Sequence, residues 1–344
     1  MIKVFIIDDS LMVRNSIIKI LKDEPTIKVI GEAVNPVDAM DVFKKVGFPD
    51  VFILDIEMPK MDGLTFFKKL NDQNPTPVII CSTLVSLGSS TAIDALRLGA
   101  VEIIQKPNVG VKDFFLEQKE EIVRAIKTAS RAKIKYKPKI DEKKSVQNIA
   151  IQEGQPATSF IAIGSSTGGV QVIEEILTSI EPNHKAIVIT QHMPQGFTAS
   201  FANRLNNLTS SKVVEAQDGE ILTDNKVIIA QGGIHMEVVQ DGEYYKVKLK
   251  DFPKVNSHKP SVNVLFNSIA KICDKNVLAF ILTGMGDDGA TGLKKLKDKG
   301  IETYGQNEES CAVYGMPNVA FQIGAVKNEL NIQQIVNKIN NFKG

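Results

Sequence analysis

Apolar and polar positions alternate with two different periods along the first stretch of the chain. Short apolar runs at Lys3–Ile7, Lys28–Ile30, Val51–Leu54, Val78–Cys81 and Glu102–Ile104 read as strands, several of them too apolar to have a wet face. Between them, Met12–Lys22, Pro36–Lys45, Leu64–Leu70, Thr91–Leu98 and Phe114–Lys127 carry the helical repeat. Strand–helix alternation sustained in this way implies a parallel (βα)5 sheet with helices on both faces. The loops at the carboxyl ends of its strands would then build its site.

The pattern breaks after Thr128. The segment RAKIKYKPKIDEKKSVQNIAIQEGQPATS is Lys-rich, poor in large apolar residues and interrupted by Pro138 and Pro156, so it reads as a polar linker. A nucleic-acid-binding patch is the alternative, but the segment lacks interleaved aromatics on which bases would stack. Alternation then resumes, with strands expected at Phe160–Ile163, Ala186–Ile189, Lys226–Ala230, Val277–Leu282 and Glu302–Tyr304. Gly242 marks a hairpin turn in VVQDGEYYKVKLK. The chain is thus expected to be α/β throughout. Residues 1–128 form one domain, 129–158 the linker, and 159–344 a mostly parallel, doubly wound second domain with an antiparallel hairpin.

Composition narrows the function classes. Forty-one Lys and Arg against 40 Asp and Glu leave a net charge of +1 over 344 residues, so no global basic field recruits nucleic acid or anionic lipid. Cys81, Cys273 and Cys311 lie far apart, which argues against a disulfide framework or a zinc ribbon and fits a reducing compartment. No apolar run approaches the roughly 20 residues that a bilayer requires. A cytoplasmic protein without membrane insertion is expected.

One cluster of chemistry falls at the strand ends of the first domain. Asp8 and Asp9 end the first strand and Asp55 the third, which can be its neighbour. Three converging carboxylates call for a hard divalent cation. Ser82 and Lys106 end the fourth and fifth strands and add a hydroxyl and a fixed cation, a set suited to phosphoryl transfer onto a carboxylate. With MIKVFIIDDS, LDIEMPKMDG, CST and QKP, the first 125 or so residues resemble the response-regulator receiver domain, which implies a flavodoxin-like (βα)5 fold. The resemblance implies that Asp55 accepts the phosphoryl group and that Asp8, Asp9, Asp55 and the backbone carbonyl of Glu57 hold Mg²⁺. It also implies that Lys106 and Ser82 bind the phosphoryl oxygens. Ile103 stands where many receivers carry an aromatic switch residue, a departure from the pattern.

The second domain carries a different chemistry. Its first strand runs into Gly164-Ser165-Ser166-Thr167-Gly168-Gly169 and then a helical pattern. Gly164-x-Ser166-x-Gly168 fits the strand–turn–helix elbow that presents a serine hydroxyl beside helix N–H donors. Such a turn also suits phosphate or another anion. Of the four histidines, His192 is the candidate base, because its strand follows the Ser166 helix directly and makes a parallel neighbour. His184 is expected at the surface, and His235 and His258 on later loops. One aspartate of Thr283-Gly284-Met285-Gly286-Asp287-Asp288-Gly289 is expected to reach the imidazole Nδ1. The same loop contains a literal G-x-G-x-x-G, with Glu302 on the next strand as a possible ribose-binding acid. Two aspartates in a pyrophosphate turn oppose a dinucleotide.

IGSSTGG, TQHMP, QGGIHM, HKPSVN and LTGMGDDG occur together, in order, behind the receiver-like half. In this the second domain resembles the catalytic domain of the chemotaxis protein-glutamate methylesterase (CheB) family. The resemblance implies Ser166 as nucleophile, His192 as general base and Asp288 as its orienting acid, with Thr167, Met285 and His258 at the oxyanion site or supporting it. Asp287 stands where many relatives have Asn. Also implied are hydrolysis of glutamate methyl esters and deamidation of glutamines on methyl-accepting chemoreceptors, with a chemotaxis histidine kinase as phosphodonor and no cofactor at the esterase site. The tandem arrangement further predicts that the unphosphorylated receiver restrains the esterase. Rival readings, a DNA-binding response regulator and a receiver fused to an NAD oxidoreductase, would need a basic recognition helix or a nucleotide site in the second half.

Overall fold

Two compact units, Met1–Lys139 and Ile140–Gly344, divide the chain. The computed structural model describes residues 1–83, 90–106, 111–133, 154–272 and 276–344. Most of the expected linker and Cys273 lie outside these residues.

In the first unit, β1 (Ile2–Ile7), β2 (Ile27–Ala33), β3 (Val51–Leu54), β4 (Val78–Thr83) and β5 (Glu102–Lys106) form a parallel sheet in the order β2-β1-β3-β4-β5. Every residue of β3 is buried, as a run apolar on both faces requires at the centre of a helix-covered sheet. The helices are α1 (Leu11–Leu21), α2 (Pro36–Val46), α3 (Gly63–Gln73), α4 (Ser90–Arg97), α5 (Val111–Glu117) and α6 (Lys119–Ala129). Ser10, Asn35 and Asp62 cap the first three through their side chains. The single helix expected over Phe114–Lys127 is two. Gln118 sits at φ −89°, ψ 5°, yet hydrogen bonds Gln118 N to Phe114 O and Ile122 N to Gln118 O carry the turn through. The apolar periodicity therefore survives a backbone kink that the sequence does not announce.

The second unit is built on seven parallel strands in the order β14-β13-β12-β6-β7-β9-β8. These are β6 (Phe160–Ser165), β7 (Ala186–Gln191), β8 (Lys212–Glu215), β9 (Lys226–Ile229), β12 (Val277–Ile281), β13 (Glu302–Gln306) and β14 (Asn328–Leu330). A separate hairpin pairs β10 (His235–Asp241) with β11 (Tyr244–Lys250) across Gly242, whose φ of 64° supplies the left-handed turn. The helices are α7 (Gly169–Ser179), α8 (Phe197–Leu208), α9 (Val262–Lys271), α10 (Ala290–Asp298), α11 (Met316–Gln322) and α12 (Ile332–Asn341). Strands β8 and β14, unforeseen in the sequence, are short edge strands with charged or polar residues and no continuous apolar run.

Winding proceeds outward from β6 in both directions, through β7 on one side and β12 on the other, so the sheet's topological switch lies between β6 and β12. Ligand sites of open α/β sheets form at the carboxyl ends of such a pair. The packing of this unit begins before the expected boundary at residue 159. Ala157 N donates to Leu222 O at 2.8 Å, Asp224 N to Gln155 O at 3.1 Å, and Pro156 bridges Thr223. Residues 154–158 are polar or small but serve as backbone partners, a role invisible to hydropathy.

Candidate active sites

Burial dominates the acidic cluster of the first unit. Side-chain oxygens of Asp8, Asp9 and Asp55 lie within 4.8 Å of one another, because β1 and β3 pair in register and end together. Asp8 and Asp55 are buried, and Asp9 is exposed. Lys106, buried at the end of β5, ion-pairs with both, at 2.6 Å to Asp8 and 2.7 Å to Asp55. Burial pushes Asp55 up to about 6, with Lys106 pulling it down and Asp8 pushing it further up. Burial likewise raises Asp8. For Lys106 burial works against the charge, but the surrounding negative groups, including Asp8 and Asp55, outweigh it and raise the pKa. An oxygen-only set with this surplus of acid suits a hard divalent cation.

The surroundings of the cluster are fixed from several sides. Ser10 N donates to Asp8 Oδ1 at 2.9 Å, Ile56 N to Asp55 Oδ1 at 2.7 Å, and the Arg14 guanidinium to the Asp8 carbonyl at 2.7 Å. Ser82 Oγ is buried and has no hydrogen-bond partner among the described residues. Gly63 opens α3 directly under the Asp55 carbonyl, where any Cβ would collide with backbone. Ile103 is buried in β5. The Glu57 side chain is exposed and stands outside the carboxylate group.

At the switch of the second unit, three strand ends deliver three side chains. Ser166 follows β6, and its N–H donates to Thr283 O beyond β12 at 3.0 Å. Gly168 adopts φ 78°, and its Cβ position is occupied by Ala312, so only glycine makes this elbow. Ser165 is fully buried, whereas Ser166 is half-buried and reaches the surface of the turn. His192 follows β7, the parallel neighbour of β6. Ser165 and Gln191 are the last register partners, and His192 N donates to Ser165 O at 3.0 Å. Ser166 and His192 are therefore the next residues out on adjoining strands.

The imidazole is held from two sides. Its Nε2 lies 2.8 Å from Asp288 Oδ2, and its ring stacks on His258 with centroids 3.7 Å apart and planes 12° apart. This corrects the expected geometry: the carboxylate takes Nε2, not Nδ1, and Nδ1 is the nitrogen left buried without a partner among the described residues. Asp288 is itself buried against the start of α9. It accepts from Ser261 Oγ at 2.8 Å, Val262 N at 2.7 Å and Asn263 N at 3.1 Å. Burial would raise its pKa, but the bonds from His192, Ser261 and Val262 outweigh burial and hold it below the ordinary carboxylate value. Asp287, by contrast, is exposed, with Asn256 Nδ2 at 3.3 Å.

Two further histidines correct the sequence reading. His184 is buried, with Nε2 2.7 Å from Ser211 Oγ and Nδ1 2.7 Å from Lys185 O, rather than at the surface. His235 opens β10 rather than lying on a loop. It is buried, stacks on Phe252 and accepts from Ser261 N at 3.2 Å. His258 sits at a tight turn, Val255 to His258, whose central residues Asn256 and Ser257 have φ of 49° and 65°.

Thr167 is buried, its carbonyl accepting from Thr283 Oγ1 at 2.9 Å, and Met285 is half-buried in the neighbouring loop. Ser261 was not singled out from the sequence, although a Ser directly before the apolar run VNVLF is an N-cap signal. The dinucleotide reading of the Gly284–Gly289 loop loses its basis, because Asp288 turns inward onto α9 and Glu302 is engaged by Lys327 and Tyr304.

The signature described as "CheB methylesterase" matches residues 161–339, and that of the "Response regulator receiver domain" matches residues 4–112. A protein-glutamate methylesterase/protein-glutamine glutaminase of Leptospira interrogans is 45% identical, covering 99% of this chain and 100% of its own. One from Pseudomonas syringae pv. tomato is 43% identical, with 97% of each chain covered. The crystal structure of the Thermotoga maritima CheB methylesterase catalytic domain superimposes with a TM-score of 0.52 at 34% identity, covering 53% of this chain and 97% of that one.

Proposed function

Since the chain belongs to the CheB methylesterase family and carries a response-regulator receiver domain, we propose that it is a phosphorylation-regulated protein-glutamate methylesterase and protein-glutamine glutaminase acting on chemoreceptors. The observation that carries this reading is the His192 imidazole, fastened through Nε2 to Asp288, with its other nitrogen unpartnered among the described residues and beside the strand end that bears Ser166.

The reaction is acyl transfer to water. His192 Nδ1 takes the Ser166 proton as Oγ bonds to the γ-carbonyl carbon of a glutamyl methyl ester. The resulting oxyanion meets backbone N–H groups around Thr167 and Met285. The C–O bond to the methoxy group then breaks, and the proton on His192 passes to the departing methoxy oxygen, which leaves as methanol. Water, deprotonated by the same nitrogen, attacks the acyl-enzyme, and the proton returns to Ser166. With glutamine the leaving group is ammonia. Asp288, kept ionised by its donors, stabilises the imidazolium, and His258 supports the ring face. No part of this sequence of steps requires a cofactor.

Regulation belongs to the acidic cluster of residues 1–128. Asp55 is the phosphoryl acceptor, and a chemotaxis histidine kinase is the donor. Asp8, Asp9 and Asp55, with the Glu57 carbonyl, would hold Mg²⁺, which neutralises charge on a transferring phosphoryl group. Lys106 would pair with the phosphoryl oxygens, and Ser82, whose hydroxyl has no partner among the described residues, would donate to them. No described helix is long and apolar enough to cross a membrane. The reading puts the enzyme in the cytoplasm, facing the cytoplasmic part of the receptor.

Methanol release from methylated receptor membranes tests the reading. The full chain is expected to release methanol and Ser166→Ala to release none, while Asp55 still accepts phosphate from a small phosphodonor. Undiminished release by Ser166→Ala would overturn it.

A further inference from the structure

Ser166 and His192 lie just beyond the last paired residues of β6 and β7. From there one chain turns into α7 and the other into the 192–196 loop. The last ladder bond between the two strands, from His192 N to Ser165 O at 3.0 Å, reaches the residue before Ser166 and not Ser166 itself, yet nucleophile and base act only within hydrogen-bond reach of each other. One side chain spans this gap. Gln191, 3% exposed, donates from Nε2 to the main-chain carbonyl of Ser166 at 2.9 Å and to that of His192 at 3.0 Å. Two acceptors facing the amide leave only the NH₂ orientation open to it.

The other end of the amide is confined as well. Gln191 Oε1 and Ser165 Oγ together occupy the space where a side chain on Gly169 would stand. Gly169 N meanwhile donates to the same Ser166 carbonyl at 2.8 Å. The first residue of α7, the elbow and the end of β7 are thus locked through one amide.

We propose that Gln191 is a positioning residue of the esterase site: both hydrogens of its amide clamp the backbones that carry nucleophile and base, and so set the Ser166–His192 spacing. It touches no substrate. This rests on the assignment of Ser166 and His192 as nucleophile and base. Its removal acts on the chemical step and not on receptor binding, because a displacement of about 1 Å between reacting groups costs on the order of 100-fold in rate.

Gln191→Met, similar in length but without donors, tests the clamp in the full chain with methylated receptor membranes. Expected are a fall in kcat of about 10- to 100-fold with KM within about twofold and an equal fall in the rate at which a fluorophosphonate labels Ser166. Thr190→Val, also buried but on the opposite face of β7, is expected to match the parent chain in both. Gln191→Glu adds a pH readout. Its carboxyl can donate only when protonated, so its activity relative to the parent is expected to rise as pH falls. Unchanged kcat and labelling in Gln191→Met would overturn the proposal, as would KM rising in step with the fall in kcat. If Gln191→Met does not fold, a pH-independent Gln191→Glu to parent ratio overturns it. Ser166→Ala, run in parallel, separates failure of the clamp from failure of the esterase reading.

Discussion

Asp288 collects four donors, from His192, Ser261, Val262 and Asn263, and does two jobs with them. Its carboxylate orients the imidazole, and the same oxygens satisfy N–H groups at the start of α9 that would otherwise be buried without a partner. Asp288→Asn keeps the size but turns an acceptor-only group into one that also presents two hydrogens to these donors. We expect kcat for methanol release to fall about 10³- to 10⁴-fold, with a stability loss of roughly 1–3 kcal/mol from the disrupted helix start. Steady-state methanol assays and chemical denaturation measure the two effects. An unimpaired kcat would mean that His192 needs no acid. The motif LTGMGDDG puts two aspartates in the loop without saying which one turns inward. That choice is made by the N-terminus of α9, which arrives from a different part of the chain.

At the scale of elements, the loop before β7 and the start of β8 are joined through His184 and Ser211. Burial holds the His184 pKa below its ordinary 6.5, and burial lowers His235 as well. For a histidine with a depressed folded pKa the stabilisation is present above 6.5. It is lost as pH falls below 6.5 towards the folded value, because the unfolded chain binds the proton first. The second unit is therefore expected to lose stability as pH is lowered from about 7 to 5, and His184→Gln to flatten that dependence. Urea midpoints recorded across this range check it, and identical slopes for the two proteins would refute the assignment. The place of His184 before a strand and beside Asn183 points to the surface, whereas the residue is buried. Its partner Ser211 lies 27 residues on, and no local pattern encodes such a pairing.

Across the whole molecule, function depends on what phosphorylation of one unit does to catalysis by the other. A phosphoryl group on Asp55 can raise esterase activity only by favouring the active state over the restrained one, through a difference in interaction free energy. A shift of 1.4 kcal/mol corresponds to about tenfold. Asp55→Asn is accordingly expected to abolish stimulation of methanol release by a small phosphodonor with Mg²⁺, leaving the unstimulated rate of the parent chain. Stimulation that persists in this variant would assign the phosphoryl acceptor elsewhere. The Asp8–Asp55–Lys106 group fits such a switch. Two buried carboxylates already share one buried cation there, so an added dianion deepens a local surplus of negative charge.

Sequence alone determined the alternation of apolar runs with amphipathic helices, and with it two α/β units whose strand ends bear the acidic cluster and the serine elbow. These follow from periods of 2 and 3.6 residues and from glycines needed at tight turns, all of them local properties of the chain. Tertiary structure alone decided which imidazole nitrogen meets Asp288, that Gln191 spans the gap between Ser166 and His192, and that residues 154–158 pack with the second unit. Each depends on groups far apart in sequence, brought together by a sheet wound in both directions from β6. Hydropathy records which residues leave water. It carries no record of which hydrogen-bonding atoms meet once they have done so.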